Sequence, residues 1–238
     1  VGALVTAWAL VSGCDGNLRI GGAPAVGRDA LQTDIAARLA KTGEQPHSVT
    51  CRENLVGEVG RTTRCEVVMS PTNSFEPVIT VTGVDGSAIN YKMRPAESKE
   101  QLEKAVSRLV ADAAHAQVAS VSCESGLEGE VGATAHCEVD SGGVKLRRTV
   151  EVNTIEGLMM NFDVVPVLTK AEVESSLLNE LEIQQQRPDS ARCSGNLEGR
   201  PGNTVECTVV TGPDTTSFIL MVTTVEGDKI NYSYTPRP

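Results

Sequence analysis

Aromatic side chains are scarce in this chain, with three Phe, three Tyr and one Trp in 238 residues. Any hydrophobic core must therefore be built from Val, Ile, Leu and Ala. The shortage also counts against an aromatic-rich concave face of the kind that inhibitor modules present. Histidine is limited to three residues, and neither His115 nor His136 belongs to an arrangement of Cys, Asp or Glu at ligand spacing, so no metal site or cofactor is expected. Positive charge is in deficit, with 21 Lys and Arg against 31 Asp and Glu and a net charge of −10. An acidic surface repels phosphate backbones, so nucleic acid is not an expected partner. No apolar run approaches the ~20 residues needed to span a bilayer as a helix. Phosphate loops, nucleophile elbows and zinc-hydrolase motifs are also lacking.

What the chain does contain is a unit written three times. Cys51 and Cys65 are separated by thirteen residues, as are Cys123 and Cys137, and Cys193 and Cys207. Each interval carries a Leu-x-Gly-x-x-Gly run: Leu55, Gly57, Gly60; Leu127, Gly129, Gly132; Leu197, Gly199, Gly202. A serine stands three residues before each first cysteine (Ser48, Ser120, Ser190). A hydrophobic-acidic-Gly turn follows each second one: Val84-Asp85-Gly86, Ile155-Glu156-Gly157, Val225-Glu226-Gly227. A period near 70 residues overrides a domain count taken from length alone. The division is a signal segment at 1–13, a flexible tether at 14–26, and repeats at 27–95, 96–166 and 167–238.

Units of this size are marginal on core burial alone, and a covalent staple would help. The pairs Cys51/Cys65, Cys123/Cys137 and Cys193/Cys207 read as disulfides, which form outside the cytoplasm. Each would contribute roughly 3 kcal/mol in the chain-entropy model. Shared zinc thiolates are the rival reading, but the spacing is too long for a knuckle. Cys14 is left unpaired. It follows the apolar stretch at 3–12 and the small residues Ser12 and Gly13, resembling the lipobox of a bacterial lipoprotein, although no Lys or Arg precedes it. Cys14 is thus the expected lipidation site.

Each repeat should open with a helix. Thr169 and Glu172 make a capping box ahead of Val173, Leu177 and Leu181. Ser98 and Gln101 do so ahead of a stripe of Leu102, Val106, Leu109 and Ala113, and Asp29 is the candidate cap before Leu31, Ile35 and Leu39. Four strands follow, ending at Ile89-Asn90-Tyr91, Met160-Asn161-Phe162 and Ile230-Asn231-Tyr232. The expected fold is α+β: three tandem repeats, each one helix packed on a four-stranded antiparallel sheet with one internal disulfide. Short joins predict a compact string.

Together these motifs resemble a domain-of-unknown-function family common in actinobacterial, particularly mycobacterial, secreted proteins and lipoproteins. The resemblance covers residues 28–236 and fits the third repeat best; Arg200-Pro201 departs from the Glu-Val of the other two. It implies an exported, membrane-linked protein and carries no catalytic residues.

Recurrent polar residues offer little chemistry. Ser48 has His47 beside it, but the equivalent positions hold Ala119 and Asp189, so no base recurs with the serines. Asp85, Glu156 and Glu226 suit hairpin turns. The Gly-x-x-Gly run is similar to a KH clamp but sits in neutral-to-acidic surroundings. His136, alternating with an inward Cys137, should be exposed. The expected function is a non-catalytic module, membrane-bound through lipidated Cys14, that contacts an envelope protein or wall component; inhibition of a secreted enzyme or a spacer role are the alternatives.

Overall fold

The computed structural model describes residues 18–114 and 117–237. Cys14, the apolar stretch before it and His115 lie outside the described residues. Two compact units divide the chain: one runs up to Gln101 and includes Thr154–Met160, and the other comprises Leu102–Asn153 and everything from Asn161. These units do not follow the sequence repeats, because the second repeat contributes to both.

In the first unit, a hairpin of β1 (Arg19–Ile20) and β2 (Ala23–Val26) precedes α1 (Arg28–Lys41). Strands β3 (Ser48–Cys51), β4 (Leu55–Val56), β5 (Thr62–Ser70), β6 (Asn73–Phe75), β7 (Val78–Asp85), β8 (Ala88–Arg94) and β9 (Ala96–Glu97) follow. The main sheet runs β3-β5-β7-β8, all antiparallel, with β6 paired to β5. Glu76 and Pro77 interrupt what is one long strand in the other repeats, since proline cannot donate to the ladder. Leu31, Ile35 and Leu39 of α1 are at most 1% exposed and pack with Val67, Ile79, Val81 and Leu158. Residues 19–26, expected within a flexible tether, are instead structured: β2 pairs with β4, Ala25 opposite Val56 and Val26 opposite Leu55. Asp29 does not cap α1. Gly27 occupies the cap position, and the Arg28 N–H is met from outside by Asn54 Oδ1 at 3.0 Å.

The second unit contains α2 (Lys99–Ala114) from Leu102, then β10 (Val118–Cys123), β11 (Leu127–Glu128), β12 (Thr134–Ser141), β13 (Val144–Glu156) and β14 (Met159–Leu168). It continues with α3 (Lys170–Ile183), β15 (Ser190–Cys193), β16 (Leu197–Glu198), β17 (Thr204–Thr211), β18 (Asp214–Glu226) and β19 (Lys229–Pro236). The sheet orders are β10-β12-β13-β14-β16 and β15-β17-β18-β19. Val173, Leu177 and Leu181 of α3 are fully buried with Val205, Val209, Leu220 and Val222. The capping boxes form as expected: Thr169 Oγ1 accepts from the Glu172 N–H, and Ser98 exchanges both bonds with Gln101. The α2 stripe differs from the expected one. Its buried residues are Leu102, Ala105, Val106 and Val110, while Leu109 is 38% exposed.

Candidate functional site

Each cysteine pair is a disulfide joining directly opposed residues of antiparallel neighbours, with Cα atoms 3.9–4.0 Å apart. The flanking positions carry the ladder bonds: the N–H groups of Arg52, Glu124 and Ser194 donate to Arg64, His136 and Glu206 carbonyls. The disulfides therefore sit at non-hydrogen-bonded positions, where opposed Cα atoms are closest. The N–H of each first cysteine points away from the sheet and would be orphaned. A helix side chain meets it each time: Gln32 Oε1 at 3.1 Å from Cys51, Glu103 Oε1 at 2.9 Å from Cys123, and Glu174 Oε1 at 2.8 Å from Cys193. The sequence reading missed this recurrent acceptor. Its signal was present, a Gln or Glu immediately after the first buried apolar helix residue: Leu31-Gln32, Leu102-Glu103 and Val173-Glu174.

The Leu-x-Gly-x-x-Gly run makes a strand-acceptor seam. Leu55, Leu127 and Leu197 are at most 1% exposed and anchor it in the core. The last glycine of each run adopts a positive φ (+87° at Gly60, +85° at Gly132, +90° at Gly202), and its N–H donates to Val81, Val152 or Val222 in the central strand at 2.8–2.9 Å. The first glycine has a different task. Gly57 N–H donates to the Pro24 carbonyl and Gly199 N–H to the Pro166 carbonyl, both at 2.8 Å. A Cβ at Gly57 would lie 2.9 Å from Pro24 O, and one at Gly199 would lie 2.8 Å from Pro166 Cγ; Ile89 or Ile230 stands 3.0 Å away on the other side. Only a bare backbone fits between the incoming proline and the Ile of the Ile-Asn-Tyr strand.

The tyrosines of that strand reach back to the helix. Tyr91 OH donates to Asp34 Oδ2 at 2.9 Å and Tyr232 OH bonds to Ser176 Oγ at 2.7 Å. The second repeat has Phe162 and Ala105 in the corresponding places, losing the hydroxyl and its partner together. Burial chiefly, then the Asp34 carboxylate, pushes the Tyr91 phenol well above the ordinary range; burial also raises Tyr232.

Within the second unit a polar cluster joins the second and third repeats. The Arg148 side chain is 3% exposed and pairs with Asp228 of the β18–β19 turn; burial lowers its pKa against the pull of that carboxylate. Thr149 Oγ1 donates to Glu198 Oε1 at 2.9 Å and lies 3.3 Å from His136 Nδ1. His136, expected to be exposed, is half-buried, with the Thr149 side chain directly opposite it in the β12–β13 ladder. Arg200 pairs with Glu151 at 2.5 Å, which explains its departure from Glu58 and Glu130 as a contact across repeats.

The structure gathers none of the weighed polar residues into one site. Ser48, Ser120 and Ser190 are exposed near the starts of edge strands, and Asp85, Glu156 and Glu226 end strands at two-residue turns. A hollow beside α2 is lined by Ser107, Ala111, Gln117, Val118, Ala119 and Gly142, which carry no charge. Among the described residues no group of three or more His, Cys, Asp or Glu could hold a metal, and no helix is long and apolar enough to cross a membrane.

No curated protein and no solved structure matches the chain. A family model does, described as a domain of unknown function (DUF4333), and it matches three times in tandem, at residues 9–86, 93–157 and 154–227. With most of its length accounted for by those three copies, the chain belongs to the DUF4333 family.

Proposed function

We propose that this protein is an extracytoplasmic, actinobacterial-type lipoprotein that binds an envelope protein or wall component and catalyses no reaction. The carrying observation is the set of three buried cross-strand disulfides, one per repeat. Disulfide-dense small units belong to oxidising compartments. A diacylglyceryl group on Cys14 supplies two acyl chains, enough for stable anchoring. Each repeat is the same module, one helix on four antiparallel strands. Its recurrent motifs serve the seam and the core, leaving the outer sheet faces and turns for partners. Three such modules on one anchor gain avidity where partner spacing permits.

The experiment has two arms in a native envelope. Metabolic labelling with an alkyne fatty acid should mark the wild-type chain and leave Cys14→Ala unmarked. Crosslinking should then capture a discrete partner in near-stoichiometric amount with the anchored chain. Absence of the lipid label refutes the anchor. Turnover in a hydrolase screen, abolished by alanine at Ser48, Ser120 or Ser190, refutes the non-catalytic reading.

A further inference from the structure

The residue that follows each hairpin glycine has a different neighbour in each repeat. In the second repeat it is Leu158, which is 5% exposed and lies in the core cluster of the first repeat with Leu31, Ile35, Leu39 and Cys65. Residues 154–160 accordingly belong to the first compact unit. In the third repeat it is Asp228, whose carboxylate pairs with Arg148 of the second. Twice, then, the hairpin of one repeat plugs into the repeat before it. In the first repeat the same position is Ser87, which is exposed.

The position opposite the second cysteine varies as well. Directly opposed residues of an antiparallel ladder share a face, and Arg148 opposes Cys137, so it rises from the core face of β13. Its Nη1 donates to the Arg147 carbonyl at 2.9 Å and its Nη2 to Asp228. The first repeat has Pro77 in that place, buried, with its carbonyl accepting from the Cys65 N–H at 3.3 Å. The third has Phe218, opposite Cys207 and packed edge-on against Tyr234, with ring centroids 5.9 Å apart. The first repeat thus offers an incoming turn an aliphatic cluster, and the second offers it a buried cation.

These differences penalise wrong matches. A leucine offered to Arg148 leaves a buried guanidinium without its carboxylate, and removing one partner of a buried pair is strongly destabilising. A carboxylate offered to the first repeat would be buried among aliphatic side chains. Penalties against the wrong partner are a source of specificity in their own right.

We propose that the residue after the hairpin glycine is a docking key read by the preceding repeat: Asp228 selects the Arg148 socket of the second repeat, and Leu158 selects the aliphatic socket of the first. The match fixes which repeat follows which, and it keeps copies of one module from packing in the wrong order. The partner is a sister repeat of the same chain, so the device works with or without a lipid and an envelope ligand.

Amide exchange by NMR on the full chain, carrying Cys14→Ala, tests the key at Gly199, whose N–H donates from the third repeat to the Pro166 carbonyl of the second. The N–H groups of Gly132 and Gly202 bond within one repeat, to Val152 and Val222, and report on each repeat alone. Asp228→Leu presents the first repeat's key to the wrong socket, and Arg148→Leu presents the wrong socket to Asp228. In each single variant Gly199 should exchange faster by on the order of tenfold or more, with Gly132 and Gly202 unchanged. The double variant restores an aliphatic match, and its Gly199 should return to within about threefold of wild type. Wild-type protection in Asp228→Leu overturns the proposal, as does a double variant that exchanges no slower than Asp228→Leu. Asp228→Asn keeps the shape of the key and removes its charge, so it serves where the leucine chain does not fold; wild-type protection of Gly199 in that variant overturns the proposal equally. Loss of protection at Gly132 and Gly202 together with Gly199 would make the pair a general stabiliser of the second unit and refute selection.

Discussion

The bare backbone at Gly199 yields the sharpest prediction. An added Cβ would sit 2.8 Å from Pro166 Cγ and 3.0 Å from both Ile230 Cδ1 and Cγ1. Neither neighbour yields easily: the proline is a ring within a paired strand, and Ile230 belongs to the core of the third repeat. Overpacking of this sort costs about 1–3 kcal/mol. Against it stands a gain of about 0.4–1 kcal/mol from the stiffer unfolded chain. Gly199→Ala should therefore lose about 1–2 kcal/mol, a fall in Tm of about 3–8 °C for a unit of this size. Gly195→Ala is the control, because a Cβ there meets nothing within 4 Å and its φ is not positive. It should be neutral or slightly stabilising. Urea titration with circular dichroism, alongside thermal melts, reads both variants. A Gly199→Ala chain as stable as wild type with an unchanged m-value would refute the close-approach account, as would an equal loss in Gly195→Ala.

Three further outcomes follow from the same geometry. Replacing Cys193 and Cys207 together by Ser should remove roughly 3 kcal/mol, measured by chemical denaturation against wild type; a change below the error of the extrapolation contradicts the stapling role. Glu174→Ala should cost about 1–2 kcal/mol by orphaning the Cys193 N–H, whereas Glu174→Gln should keep most of that stability, since Gln32 performs the same task in the first repeat. A matching loss in both variants would assign the effect to charge rather than to the hydrogen bond. Tyr91 is protonated more firmly in the folded state, so its contribution is present below the unfolded phenol pKa near 10 and declines as pH rises above it. Absorbance titration at 295 nm should show late phenolate titration whose amplitude Tyr91→Phe reduces, Tyr232 accounting for the rest; a wild-type curve with no late step counts against the burial.

Much of this fold could be read directly from residue spacing. The cysteine intervals located the disulfides, the four-residue apolar steps located the helices, and Gly86, Gly157 and Gly227 located the turns. Thr169 with Glu172 was readable because a capping box is local, complete within four residues. The failures were of another kind. The segment Ala23-Pro24-Ala25-Val26 has no periodicity of its own, and its partner, Leu55-Val56, lies some thirty residues away. Asp29 looked like a cap because cap propensity is local, but the helix starts one residue before it, with Gly27 at the cap and the Arg28 N–H met by Asn54 from a distant loop. His136 was assigned to solvent by strand alternation, which identifies a face without saying what covers it. Arg200 looked like a lapse in the repeat until Glu151 appeared opposite. Within each repeat the information was short-range; between repeats it was not.

The disulfides have one more consequence. All six disulfide cysteines are at most 3% exposed. A thiolate reductant must approach the sulfur it attacks, so reduction waits for the surrounding repeat to open. Under mild reducing conditions the slowest bond to break identifies the repeat that opens least often. The chain therefore carries a chemical clock in each repeat, and mass spectrometry of alkylated intermediates would rank their opening rates without an added probe.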